Sequence, residues 1–98
     1  MGQKTANGTV TISTTSVEAI PNRQTRRTSF LIVNTSAAAI ATIAKGDIAA
    51  VANQGIVLQP TGIYSESNGD NFTCWQGAIQ IVGSGAGSCA LVETYEEV

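Results

Sequence analysis

Ser29-Phe30-Leu31-Ile32-Val33, closed by Asn34-Thr35-Ser36, is the stretch that decides the fold. Phe30 to Val33 is the only place where four bulky apolar residues follow one another. A strand with one wet face alternates apolar and polar residues, and this one does not. It reads as a strand covered on both faces, in the middle of a sheet or sandwich. Four residues are too few for a buried helix, and the β-branched Ile32 and Val33 favour a strand.

Working outward, shorter strands surround it. Residues 1–8 read as a polar N-terminal arm, and residues 9–98 as a single β domain. Thr9-Val10-Thr11-Ile12-Ser13 alternates with Val10 and Ile12 facing inward. Val17-Glu18-Ala19-Ile20 follows, and Pro21-Asn22 opens a basic loop, Arg23-Gln24-Thr25-Arg26-Arg27. Residues 36–52 admit two readings. Ser36 and the alanines at 37, 38, 39, 41 and 44 suit a helix, but one stopped by Gly46-Asp47 after about two turns is marginal. Turn chemistry on both flanks favours a strand over 38–44.

Gly55-Ile56-Val57-Leu58 and Ile63-Tyr64-Ser65 are short strands on either side of the turn Gln59-Pro60-Thr61-Gly62. The last unit reads as a hairpin in which 73–82 and 88–96 pair about Gly83-Ser84-Gly85-Ala86-Gly87. In that register Ile81 faces Cys89, Ile79 faces Leu91 and Trp75 faces Tyr95, all on one side of the ladder. The expected fold is all-β: a single-domain antiparallel β-sandwich or jelly-roll-like barrel of about seven to eight short strands.

Charge is scarce, at 12% of 98 residues, and the net charge of −2 is unevenly spread. Residues 1–45 hold all five basic groups and one acid, a net +4; residues 46–98 hold six acids and no base, a net −6. Such a division suits docking between subunits. An acidic chain is a poor nucleic-acid binder, so no nucleic acid is expected as partner. Met1-Gly2-Gln3-Lys4 leads into polar residues rather than the apolar core of a secretory leader. No apolar run approaches the ~20 residues of a membrane span. The expectation is a chain made in a cytoplasm, with no membrane partner.

The sequence carries little catalytic equipment. It has no histidine, which removes the commonest general base and neutral metal ligand. Ser-His-Asp and Cys-His sites are ruled out, and a typical zinc site lacks ligands. No phosphate-binding loop motif is present, and Gly83, Gly85 and Gly87 fall in a turn rather than before a helix. Glu66, Asn68 and Asp70 alternate in one loop, where hard oxygen donors suit calcium. EF-hand spacing is absent, and a solvated turn is the plainer reading. No enzyme activity, metal or cofactor is expected. In the hairpin register Cys74 and Cys89 lie roughly 23 Å apart along the strand at ~3.3 Å per residue. A bridge needs Cα atoms within about 7 Å, so two small buried thiols are the expectation.

Pro21-Asn22-Arg23, Arg26-Arg27, Phe30 to Ser36, Gly55 to Pro60 with Gly62 and Tyr64, and Trp75-Gln76-Gly77-Ala78-Ile79 with the closing Val/Thr/Glu strand form a series of short motifs. Together they resemble a group of small proteins from bacteriophage structural gene clusters. The match spans about three quarters of the chain and departs from the group in the Ala-rich stretch 37–52. The resemblance implies a virion protein: a capsid decoration (cement) or minor capsid protein, or the base of a head or tail fibre. Its expected partners are the major capsid protein or other virion subunits. A homo-oligomer, trimer or dimer, is expected at symmetry axes.

On this expectation Arg23, Arg26 and Arg27 form an exposed docking loop. Arginine suits bidentate pairing with carboxylates, and the loop would meet Glu93, Glu96 and Glu97 of a neighbouring copy, or the capsid surface. The alternative function is a carbohydrate- or receptor-binding module of a fibre or spike, with Tyr64 and Trp75 as stacking platforms.

Overall fold

The computed structural model describes residues 2–23 and 25–96. Eight strands follow in order: β1 (Gln3–Ile12), β2 (Val17–Ile20), β3 (Arg27–Asn34), β4 (Ala41–Lys45), β5 (Ile56–Leu58), β6 (Ile63–Ser67), β7 (Ile79–Gly83) and β8 (Gly87–Glu96). They form two four-stranded sheets, in the orders β1-β8-β3-β6 and β2-β7-β4-β5. Every pairing is antiparallel. The pairs β1–β8, β2–β7, β3–β6 and β4–β5 nest inside one another. That is one long antiparallel ribbon rolled into two sheets, the jelly-roll form of a β-sandwich.

The core lies between the sheets. Ile12, Phe30, Ile32 and Cys89 from one sheet meet Ile20, Ala41, Ile43, Ile79 and Ile81 from the other. β3 is central, flanked by β8 and β6, as its unbroken apolar run suggests. Its burial nevertheless alternates. Phe30 and Ile32 are buried, whereas Leu31 and Val33 on the outer side are only half-buried. The second cover expected from the sequence is not supplied by the described chain.

Asn34 pins the far end of β3. It is fully buried, and its Nδ2 donates to the carbonyls of Ala39 (2.8 Å) and Leu58 (2.9 Å). Its Oδ1 accepts the Ser36 N–H at 3.0 Å. One side chain therefore ties the end of β3 to the crossover and to the opposite sheet.

Two expectations need correction, and the strand favoured over 38–44 stands with shifted bounds. Residues 3–8, read as part of a polar arm, form the first half of β1 and pair with 91–96. Both faces of that half are largely wet, so it lacks the alternation that marks a half-buried strand. The hairpin 73–82/88–96 is not a ladder, because β7 and β8 belong to different sheets. Ile79, Ile81 and Cys89 do all face inward, but across the core. Parity along two strands is the same whether they pair or oppose. Trp75 and Tyr95 are consequently not cross-strand partners. In the Ala-rich stretch the strand is β4, Ala41–Lys45, and no helix occurs among the described residues.

Candidate functional site

The two sheets differ in what covers their outer faces. On the β2-β7-β4-β5 sheet, Thr42 and Val82 point outward by alternation, yet both are buried. Residues 46–55 lie over them as a flap. Asn53 N–H bonds Thr42 Oγ1 at 3.0 Å, and Ala50 N–H reaches Ser16 Oγ at 2.8 Å, beside β2. Gly55, at φ 153°, closes the flap against β4, where a Cβ would collide with the Ile43 carbonyl oxygen. The flap carries exposed apolar residues of its own, Ile48 and Val51, next to Asp47.

The β1-β8-β3-β6 sheet has no such flap among the described residues. Its registers place three rows on the outer face: Thr9-Ala90-Val33-Ile63, Asn7-Val92-Leu31-Ser65 and Thr5-Thr94-Ser29-Ser67. None of the twelve carries a charge. Ile63 is 61% exposed and Val92 36% exposed. The nearest outward charge is Glu96 at one corner, 3.7 Å from Arg26.

The other two carboxylates of this sheet point the other way. Glu93 and Glu66 flank Phe30 on the inner face, in the row Ala6-Glu93-Phe30-Glu66. Both are buried. A buried carboxylate is costly unless it is paired and hydrogen-bonded, and each has its partners. Glu93 accepts from Arg27 Nε at 2.8 Å, and from Arg23 Nε and Nη2 at 3.1 and 2.8 Å. Arg23 lies over the Tyr95 ring, 4.3 Å from its centroid, and its hydrogen bond to Glu93 raises its pKa further.

Arg27 organises this end of the sandwich. It is fully buried. Its Nη1 donates to the carbonyls of Trp75 (2.8 Å) and Gly77 (2.9 Å), and its Nη2 to that of Pro21 (2.7 Å). Gln76 holds the same residue by its main chain: Oε1 accepts the Arg27 N–H at 2.7 Å, and Nε2 donates to the Arg27 carbonyl at 2.7 Å. The amide of Gln76 thus acts as a strand partner at the irregularity where β3 begins.

Glu66 accepts the Trp75 N–H at 2.8 Å, a hydrogen bond from Tyr64 Oη and an ion pair from Lys45 Nζ. Burial alone pushes its carboxyl up. The hydrogen bonds from Lys45, Tyr64 and Trp75 outweigh that, so its pKa lies below the ordinary value. The same bond holds the Lys45 ammonium above its usual pKa. Burial pushes both the Cys74 and the Cys89 thiols up, and both are free. They are neutral thiols rather than nucleophiles.

These positions revise the site expectations. Arg27 and Glu93 cannot form an exposed docking loop, since both are buried and bonded to each other. The arginines do meet the acids of β8, but within one chain. Arg23 and Arg27 of a charge run read as surface close instead on Glu93, the β8 neighbour of Phe30. Arg23 and Arg26 stay partly or fully exposed, bonded to Glu93 and Glu96. Glu97 lies outside the described residues. Of the two stacking candidates, Tyr64 is turned inward against Phe30, with ring centroids 6.0 Å apart. Trp75 is 36% exposed, its Nε1 donates to the Ala78 carbonyl at 2.9 Å, and Gly77 packs against its ring. Glu66, Asn68 and Asp70 do not converge on a cation: Glu66 is turned inward, and Asn68 Oδ1 accepts the Cys74 N–H at 2.9 Å. The outer face of the first sheet escaped sequence reasoning. Its only signal was the unbroken apolar run of β3.

A cleft of about 130 Å³ opens between β1 and the end of β2, beside Asn7, Gly8, Ala19, Pro21, Arg23 and Glu93. It is smaller than the ~300–1,000 Å³ of ordinary ligand pockets. Both Glu93 oxygens are already engaged. Neither a family model nor a curated protein matches the chain.

Proposed function

We propose that this chain is a non-enzymatic structural protein of a bacteriophage particle, bound to the capsid as a decoration or minor capsid protein that stabilises the shell. One observation carries the reading. The β1-β8-β3-β6 sheet turns Glu66 and Glu93 inward and presents twelve uncharged side chains outward, with Leu31, Val33 and Val92 at their centre and Glu96 only at a corner. A solvated sheet face ordinarily carries charged side chains, and this one sets Leu31, Val33, Ile63, Ala90 and Val92 among neutral polar residues. Such a face suits a broad, flat protein surface better than a small ligand. Two further points support the reading: the bacteriophage-like motifs of the sequence, and a jelly-roll connectivity that viral capsid domains share. The second is an analogy of fold alone.

The test is the protein composition of purified particles made by the genome that encodes this chain. Peptides of the chain should be recovered in many copies per particle, and stripping the chain should lower the temperature at which the shell opens. Particles without the chain would defeat the proposal.

A second reading has one observation in its favour. Trp75 and Phe72 are exposed near each other in sequence, beside the polar residues Asp70, Asn71 and Thr73. Aromatic faces flanked by polar groups suit sugar stacking, as in a fibre or spike module. A glycan array whose hits are lost in Trp75→Ala would favour it over the first.

A further inference from the structure

We infer that two copies of this chain pair edge to edge through β1, antiparallel about a two-fold axis, making one continuous eight-stranded sheet. β1 is the edge strand of its sheet and is ten residues long. From Gln3 to Thr11 every side chain is exposed except the half-buried Ala6 and Val10. The stretch Thr5 to Val17 holds no charged residue and no proline. A long, flat, unguarded edge offers a row of free backbone donors and acceptors to another strand.

The other edges are blunted. β2 has four residues, an irregular register at Ala19 and an exposed Glu18. β5 has three residues and β6 five. Proteins that stay monomeric usually shorten or charge their edges. Here that is done at three edges, while the fourth carries only Lys4 near its start and is uncharged from Thr5 to Ile12.

A second copy is the occupant that fits. A two-fold contact sets the same surface against itself, so any charge of one sign would repel its own image. The edge from Thr5 to Thr11 has none. In antiparallel pairing, opposite residues lie on the same face, so Thr5, Asn7 and Thr9 of one copy extend the neutral outer face of the other. The inference rests on the edge alone and goes beyond the proposed docking of the face.

The test begins with the unmodified chain. Sedimentation velocity over a micromolar range should show a dimer, and the β1 amides should exchange about tenfold more slowly in the dimer than after dilution to monomer. Thr5→Lys/Thr9→Lys and Thr5→Glu/Thr9→Glu change exposed side chains and should leave the thermal transition nearly unmoved. Each should weaken the dimer at least about tenfold, and an equimolar mixture of the two should restore it. A monomer at every concentration overturns the inference. So does β1 exchange that ignores concentration, or a dimer that survives both edge variants but is lost in Val92→Lys, which would place the contact on the outer face. Particle composition is read separately. A dimer absent from particles would sink the proposed function and leave the β1 pairing standing.

Discussion

Arg27 shows how much one side chain holds here. It neutralises Glu93 and gathers the carbonyls of Pro21, Trp75 and Gly77, which belong to segments far apart in sequence. Arg27→Met should cost about 3–5 kcal/mol, because it leaves the buried Glu93 with Arg23 alone and strips three carbonyls of their donor. Arg27→Lys should not restore the loss, since an ammonium lacks the planar fork these acceptors require. Arg27→Met/Glu93→Leu should be less damaging than Arg27→Met alone. Denaturant melts of the three variants check this; a single variant within about 0.5 kcal/mol of the parent would contradict it.

The Lys45–Glu66 pair predicts a pH dependence. Glu66 has a folded pKa below its unfolded one, so its contribution is present above the ordinary glutamate range, about pH 4–5, and is lost as pH falls through the folded value. Lys45 has a raised folded pKa, so its contribution is present below about pH 10 and is lost as pH rises through the folded value. The pair therefore stabilises across the neutral window and fails at both ends. Lys45→Met leaves Glu66 buried without its cation, and the acid limb of a Tm–pH profile should move to higher pH. An unmoved acid limb would show that Lys45 does not hold the carboxylate.

Among the elements, β3 is fastened at both ends by buried polar residues, Arg27 and Asn34. Asn34→Ala should cost at least about 2 kcal/mol, since the Ala39 and Leu58 carbonyls lose their donors in a buried place. The turn into β6 carries strain. Gly62 N–H bonds the Gln59 carbonyl at 2.7 Å, with Pro60 second in the turn and Thr61 at φ 69°. A β-branched residue is poorly suited to that region, which a type II turn reserves for glycine or asparagine. Thr61→Gly should therefore stabilise the protein by about 0.5–1 kcal/mol, read as a rise in Tm.

Most elements were legible in the sequence, because β-branched pairs and Pro/Gly/Asn turns are local signals. All eight strands fall at or beside their expected places, Phe30 to Val33 most clearly. The pairing of β7 and β8 was not legible, since side-chain parity cannot separate a neighbour in the ladder from an opposite strand across the core. The fate of Arg27 was hidden for a related reason. Its acceptors are backbone carbonyls and a glutamate 66 residues away, and no local pattern marks them. Glu66 and Glu93 look like surface residues until the register turns them inward.

The whole molecule is a sandwich with unequal sides. One sheet is covered over Thr42 and Val82 by the chain's own flap at 46–55, and the other offers a neutral face and an open edge. The inward carboxylates cost desolvation that a solvated monomer would avoid by facing them outward, and the arginines and Lys45 offset it. The arrangement makes physical sense if the outer face is to be covered, and Leu31 and Val33 complete on that side the double cover that their sequence suggests. The most direct measurement is particle occupancy of Leu31→Lys/Val92→Lys beside the parent. Both positions are partly exposed and tolerate a lysine stem, so the thermal melt should be nearly unchanged. Occupancy should fall at least about tenfold, the equivalent of ~1.4 kcal/mol of binding. Equal occupancy of parent and variant, or no occupancy by the parent, would contradict a docking role for this face.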